Sequence, residues 1–396
     1  MVRVRGGDPM KRIGVGGLHL GPIEKSYLRR VIESDRLSYG PMTRRFEQVF
    51  ARAHACRFAV FCNSGTSALH LALAALKERL GWKDGDEVLV PAVTFIATAN
   101  AVLHNRMRPV FVDVDPRTYN LDARLLERAR TRRTRAVIPV HLLGLPCDMG
   151  PIMAFAGKRG LRVIEDCCET PFARYKGRVV GSFGDASCFS TYAAHYIVTG
   201  VGGLALTSRP GIHLLMRSML NHGRDTAYLS IDDGCSRRVV ARRFRFVRIG
   251  YSFRLTELEA AMGLGQMRQW RRIARLRKAN AARLTRGLRA VEDRVQLPYI
   301  PPDRDHMFMM YPIVLRKGSK RGLIHHLESR GIETRDLFPL VNQPVYRKLC
   351  GDIEDRYPVA RWLNRGAFYV GCHQGLSLAD MDRVAETVRD YFRVCR

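Results

Sequence analysis

Between Phe58 and Ser208 the chain keeps repeating one pattern, a short apolar run followed by a helix-forming segment. FAVFC leads into SALHLALAAL, EVLVPAVTF into IATANAVLHN, RPVFVDVD into LDARLLERAR, and AVIPVHLLG into PIMAFAGKRG; RVIEDCCE then follows as a further strand. Parallel neighbouring strands cannot be joined by a tight turn and need a crossover, usually a helix. The repetition therefore predicts an α/β fold, a mostly parallel central sheet with helices on both faces. Such a sheet binds ligands beyond the carboxyl ends of its strands. The polar residues at those ends are Gly65 and Thr66, Thr94 and Phe95, His141, Asp166 and Glu169, then the stretch from Ser190 to His195.

The flanks read differently. Residues 22–35 and 43–53 have apolar positions at helical spacing and are separated by the break SYGPM. After Gly203, LALTS closes the strand pattern, residues 212–226 are predicted helical, and 226–248 form a polar, basic loop. Thr256 is the predicted N-cap of a long amphipathic helix reaching about Val291. Beyond it, MFMMYPIVL and AFYVG are predicted strands, and 319–330 and 377–392 helices. At 396 residues the chain exceeds one ordinary core. It divides into a large unit over 1–255 and a smaller α+β unit over 256–396.

No apolar run approaches the roughly 20 residues that span a bilayer, and MVRVRGGDPMKR lacks the apolar middle of a signal peptide. No membrane association and a cytoplasmic location are the expectation. The ten cysteines are scattered and read as reduced thiols, and no spacing matches a zinc site, so no metal is expected. The formal charge of +29 would attract an anionic ligand. Its arginines are spread along the chain with no nucleic-acid-binding signature beside them, which argues against a nucleic-acid partner.

Several residues admit two readings. Small hydroxylated residues and Gly65 at a helix start suit a phosphate, or form a plain capped helix. Asp166 ends an apolar strand and needs a cation: either a protonated cofactor nitrogen or one of the many arginines. Phe95 lies flat on an aromatic ring or packs in the core.

Taken in order, CNSGTSALHLALAAL, GDEVLVPAVTFIATANAV, PVFVDVDPRTYNLD, VHLLGLPCDM, VIED, YKGRVVGSFGDASCFS and GVGG resemble the DegT-type sugar aminotransferases over about Arg36 to Arg389. The resemblance implies a fold-type-I transferase dependent on pyridoxal 5′-phosphate or pyridoxamine 5′-phosphate, working as a homodimer with a shared active site. It implies that Gly65, Thr66 and Ser190 cradle the phosphate, Phe95 stacks on the pyridine ring, and Asp166 keeps the ring nitrogen protonated so that the ring can accept electrons. Glu169 stands where the family often has glutamine. Ser252, in GYSFR, stands where the partner subunit supplies an asparagine to the phosphate.

The main departure is His195. Five residues after the phosphate-binding serine the aminotransferases carry the lysine that bonds to the cofactor; here that position is histidine. None of the ten lysines falls in the motif. An imidazole cannot form that bond but can move a proton. The substitution resembles the pyridoxamine-dependent 3-dehydratases of nucleotide-linked 4-keto-6-deoxysugars, and implies a non-covalent cofactor with His195 as proton-transfer base.

Within that branch, the CDP-sugar enzymes hold an iron–sulfur cluster on four cysteines, two of them in a Cys-x-Cys pair after GRD. Here Gly223-Arg224-Asp225 is followed by Thr226-Ala227-Tyr228, and Cys168 and Cys235 alone resemble the remaining ligands, so no cluster is expected. The GDP-sugar enzymes lack a cluster and regain their amine from glutamate. Cys372-His373 borders the substrate or forms a structural turn. The implied activity is dehydration at C3 of a nucleotide-linked 4-keto sugar. The alternatives are a nucleotide-sugar aminotransferase with a non-covalent cofactor, and a non-catalytic relative that binds cofactor or another anion.

Overall fold

A computed structural model describes residues 11–225, 244–337 and 339–394. Seven strands form the main sheet: β1 (Phe58–Cys62), β2 (Glu87–Pro91), β3 (Arg108–Val112), β4 (Thr134–Val137), β5 (Arg162–Asp166), β8 (Ala186–Ser190) and β9 (Gly203–Thr207), in the order β1-β9-β8-β5-β4-β2-β3. From β8 to β3 every pairing is parallel; β9 runs antiparallel to both β8 and β1. A small hairpin of β6 (Arg174–Tyr175) and β7 (Arg178–Val179) stands beside it. The sheet helices are α3 (Gly65–Leu80), α4 (Ala97–His104), α5 (Leu126–Ala129), α6 (Met149–Arg159) and α7 (Pro210–Leu220), after α1 (Pro22–Glu33) and α2 (Pro41–Ala53). Helix α3 shows how such a segment is bounded and buried. Ser64 caps its start by accepting the Ser67 N–H at 3.0 Å, the left-handed Gly81 ends it, and the Ala/Leu face between them is buried against β8 and β9.

Helix α8 (Glu257–Leu288) starts at a capping box, Thr256 with Glu259. It packs against α1 and α2 in its first half and against α12 (Leu378–Val394) in its second. A second sheet, β10-β11-β13-β12, is antiparallel: β10 (Val295–Gln296), β11 (Tyr311–Leu315), β13 (Ala367–Val370) and β12 (Thr334–Asp336). It carries α9 (Lys320–Glu328), α10 (Pro344–Cys350) and α11 (Pro358–Gly366) around it. The segment from Ile13 to Gly17 belongs with this sheet: Ile13 bridges Ile332 and is buried in the same core as Phe368 and Val370.

Two expectations change in detail. The strand expected over MFMMYPIVL begins only at Tyr311, because Met307 N–H and Met309 N–H donate to the carbonyls of Gly144 and Leu143 and Phe308 adopts a φ of 50°. These bonds fasten residues 307–309 to the main sheet's loops and take them out of β11. The helix expected over 212–226 ends at Leu220. Most of the expected loop 226–248, with Cys235, lies outside the described residues. The eight described cysteines are free thiols, and no helix among the described residues is long and apolar enough to cross a membrane.

Candidate active site

A cavity of about 530 Å³ opens at the carboxyl ends of β1, β5 and β8. It gathers Gly65, Thr66, Phe95, Asp166, Glu169, Ser190 and His195 from five separate loops and strand ends. Ser252 is not among its lining residues: its Oγ accepts from Arg254 at 2.9 Å, and its backbone pairs with Asn221. The single chain thus sets Ser252 apart from the cavity that holds the other expected residues.

The N-terminus of α3 forms one part of the wall. The first N–H groups of a helix have no acceptor within it; here Ser64 takes that of Ser67, and Gly65 and Thr66, whose N–H groups have no acceptor in the helix, line the cavity. A Cβ on Gly65 would come within 2.9 Å of both Ser190 Cβ and Cys168 Sγ, so only glycine lets β8 approach the helix end. Ser190, last residue of β8, presents its hydroxyl beside that end.

Asp166 ends β5 with its carboxylate buried. Thr98 Oγ1 donates to one oxygen at 2.8 Å and the Cys168 N–H to the other at 3.2 Å. No lysine or arginine among the described residues pairs with it, so the arginine partner that the sequence also allowed is not there. Burial raises its pKa and outweighs the opposing bonds from Cys168 and Thr98 and the influence of His141. Its neighbour Glu165 points to the opposite face of the strand and is fully engaged there, accepting the N–H groups of Gly181, Phe183 and Gly184. His141 Nδ1 accepts the Cys147 N–H, which leaves the ring's proton on Nε2 to donate to Glu165 at 3.2 Å. His141 is a support behind the site.

Phe95 keeps its ring 62% exposed at the cavity, an unusual position for a large apolar side chain and the opposite of core packing. Glu169 accepts the Leu143 N–H at 2.6 Å. Its pKa is pushed up to about 7, first by burial and then by the negative charge of Asp166, with the Leu143 bond opposing. His195 lines the same cavity, and its Nδ1 is sealed from solvent with no hydrogen-bond partner among the described residues. Burial, and secondarily the charge of Arg277, push its imidazole down to about 4, so the ring is neutral at ordinary pH. No lysine lines the cavity.

Sequence reasoning missed a whole wall. Val15, Met309, Met310, Arg335 and Tyr369 reach the cavity from the N-terminal segment and the second sheet. Arg335 is the sole lysine or arginine among the described residues that line it. Its only sequence signal is a charged position in the short run TRD, which carries no period to read.

Exposed helix N–H groups and a carboxylate without a cation, on one cavity, suit a molecule with a phosphate at one end and a protonated ring nitrogen at the other. Phe95 adds an open ring face and His195 a neutral imidazole. Pyridoxal and pyridoxamine 5′-phosphate have that pattern, and the site is that of a vitamin B6 enzyme. The chain belongs to the DegT/DnrJ/EryC1/StrS aminotransferase family, which it matches over residues 20–389. It is 35% identical over 380 residues to the GDP-perosamine synthase of Caulobacter vibrioides, covering 95% of this chain and 97% of that one. It is 32% identical over 376 residues to the dTDP-4-dehydro-2,6-dideoxy-D-glucose 3-dehydratase of Saccharopolyspora spinosa, covering 90% and 81%. Among solved structures it is similar to the Escherichia coli GDP-4-keto-6-deoxy-D-mannose-3-dehydratase with bound hydrated pyridoxal phosphate. The TM-score there is 0.86 at 25% identity, with 96% of this chain and 100% of that one covered.

Proposed function

We propose that this chain is a pyridoxamine-phosphate-dependent 3-dehydratase of a nucleotide-linked 4-keto sugar that holds its cofactor without a covalent bond. The observation that carries the reading is His195: an imidazole lines the cavity at the position expected for the bonding lysine, and no lysine among the described residues lines that cavity. The pyridoxamine form supplies an amine that condenses with a ketone and a ring that accepts an electron pair. Gly65, Thr66 and Ser190 bind its phosphate, Phe95 covers one ring face, and Asp166 holds a proton on the ring nitrogen. Glu169 lies within the same cavity, where it meets the ring hydroxyl. With the cofactor bound, His195 would accept the proton released at the carbon that bears the amine and could pass it to the C3 hydroxyl of the sugar, which would leave as water.

The similarity to the named 3-dehydratases supports this reading, and the cluster-free version fits a site that draws its amine from glutamate. A homodimer in which Ser252 of one chain faces the other's cofactor accords with its place outside the cavity of its own chain. The second reading, a nucleotide-sugar aminotransferase with a non-covalent cofactor, is favoured by the 35% identity to a GDP-perosamine synthase.

The test is to incubate the purified protein with pyridoxamine phosphate and a panel of GDP-, dTDP- and UDP-linked 4-keto-6-deoxysugars. A 3-deoxy product, lost in His195→Asn with the cofactor still bound, is the expected result. An amino sugar with its C3 hydroxyl intact would establish the second reading. No turnover on any sugar, with His195→Asn indistinguishable from wild type, would make the chain a non-catalytic relative.

A further inference from the structure

Arg277, midway along α8, is among the most deeply buried side chains of the protein, 1% exposed. Its Nε donates to Gln374 Oε1 at 3.0 Å. One terminal nitrogen donates to the carbonyls of Met309 at 2.7 Å and Phe308 at 3.3 Å, and the other to the carbonyl of His195 at 3.4 Å. The guanidinium carbon lies 5.0 Å from the centre of the Tyr196 ring. No carboxylate among the described residues pairs with it, and its solvation is replaced by carbonyl dipoles and a ring face alone. A buried charge without a counter-ion is costly, and packing alone would be served as well by an apolar side chain. Of the groups it touches, His195 and Met309 line the cavity, Tyr196 and Phe308 are their chain neighbours, and Gln374 lies in the turn after β13.

We propose that Arg277 is a positioning residue for His195: its guanidinium fastens the backbone of the His195 loop to the Phe308–Met309 wall and the Gln374 turn, and sets an uncompensated positive charge near the imidazole. The proposal rests on the reading of His195 as the proton-transfer group. Several titratable groups surround that imidazole. Tyr192 and Tyr196 lie on its own loop, and Cys372 and His373 follow β13. Asp166, Glu169 and Arg335 line the cavity. Arg277 alone adds a charge effect to that of burial. It also acts on His373 and Cys372, which places it at the centre of this cluster.

The test is a titration of His195 by NMR on the full-length chain as purified, labelled at histidine, with the signal assigned through His195→Asn. In Arg277→Gln the midpoint should rise by about one pH unit, since the cation no longer opposes the imidazolium. In Arg277→Lys, which keeps the charge but loses the planar fork, the midpoint should stay within a few tenths of wild type, while amide hydrogen exchange at residues 192–196 accelerates about tenfold. An unmoved midpoint in the Gln variant, or a Lys variant that shifts to the ordinary histidine value, overturns the electrostatic role. Unchanged exchange in the Lys variant overturns the fastening role. If the Gln variant does not fold, Arg277→Met, uncharged and of similar length, takes its place in the titration with the same expected rise, and the Lys variant decides the fastening role. Neither measurement needs sugar turnover, so an absence of dehydratase activity leaves the result readable.

Discussion

Thr98 Oγ1 donates to Asp166 Oδ2 at 2.8 Å, and this buried carboxylate is otherwise supported among the described residues only by Cys168 and, more weakly, by His141, with no lysine or arginine paired to it. The arrangement is poor for the free protein and good for one holding a cation at that spot. Asp166→Asn should therefore separate stability from binding. Without cofactor the variant should melt at or above the wild-type temperature, while its cofactor affinity falls at least about tenfold and turnover about a hundredfold. Differential scanning fluorimetry with and without pyridoxamine phosphate reads both.

Gly65→Ala should be harmful for a purely spatial reason. The added methyl would sit 2.9 Å from Ser190 Cβ and Cys168 Sγ. Pushing the helix end and β8 apart should cost about 1–3 kcal/mol of stability and move the Ser190 hydroxyl away from the helix N–H groups. Urea denaturation and a phosphate or cofactor titration should both register the change.

Glu169 should titrate near neutrality. Its carboxyl, held at about 7, is neutral below that pH and anionic above it. The absorption spectrum of the bound cofactor should change across pH 6–8 in the wild type. In Glu169→Gln the change should be absent, since an amide does not ionise.

His54 should contribute to acid sensitivity. Its ring is stacked between Phe50 and Phe172, donates from Nδ1 to the Phe50 carbonyl and accepts the Phe172 N–H at Nε2. Burial lowers its pKa from 6.5 to about 4, so the folded state keeps it neutral while the unfolded chain binds a proton. Stability from this site is complete above about pH 6.5 and is lost as pH falls towards 4, in total about 3 kcal/mol. His54→Phe should lose some stability at pH 7.5 but show a shallower decline from pH 6.5 to 4.5, measured by urea denaturation.

The central sheet could be read because each strand is a contiguous apolar run with its crossover helix next to it. The site residues could be read for a related reason: Gly65, Asp166 and Ser190 all terminate such runs. What could not be read comes from distant pairings. Strand β12 has three residues and β10 two, too short for any alternation, and β12 exists through its pairing with β13, Thr334 opposite Val370. Arg335 and Tyr369 reach the cavity through that pairing, and Val15 through the bridge of Ile13 to Ile332. Met309 looked like a strand residue because its neighbours are apolar. The bonds that hold it in place run to Leu143 and Arg277, far away in sequence.

The one reversed strand has an evolutionary consequence. Because β9 returns antiparallel beside β8, Ser190 stands directly opposite Gly203, and the loop over residues 191–202 leaves and re-enters the sheet at a single point. Its ends are fixed by sheet pairing and further tied by Thr191 to Thr199 and Gly202. A side chain exchanged at position 195 therefore sits between fixed ends and leaves the Ser190–Gly203 pairing and the strand order in place. A loop anchored this way can change the group it offers to the cavity by a single codon, keeping the scaffold that it had already stabilised.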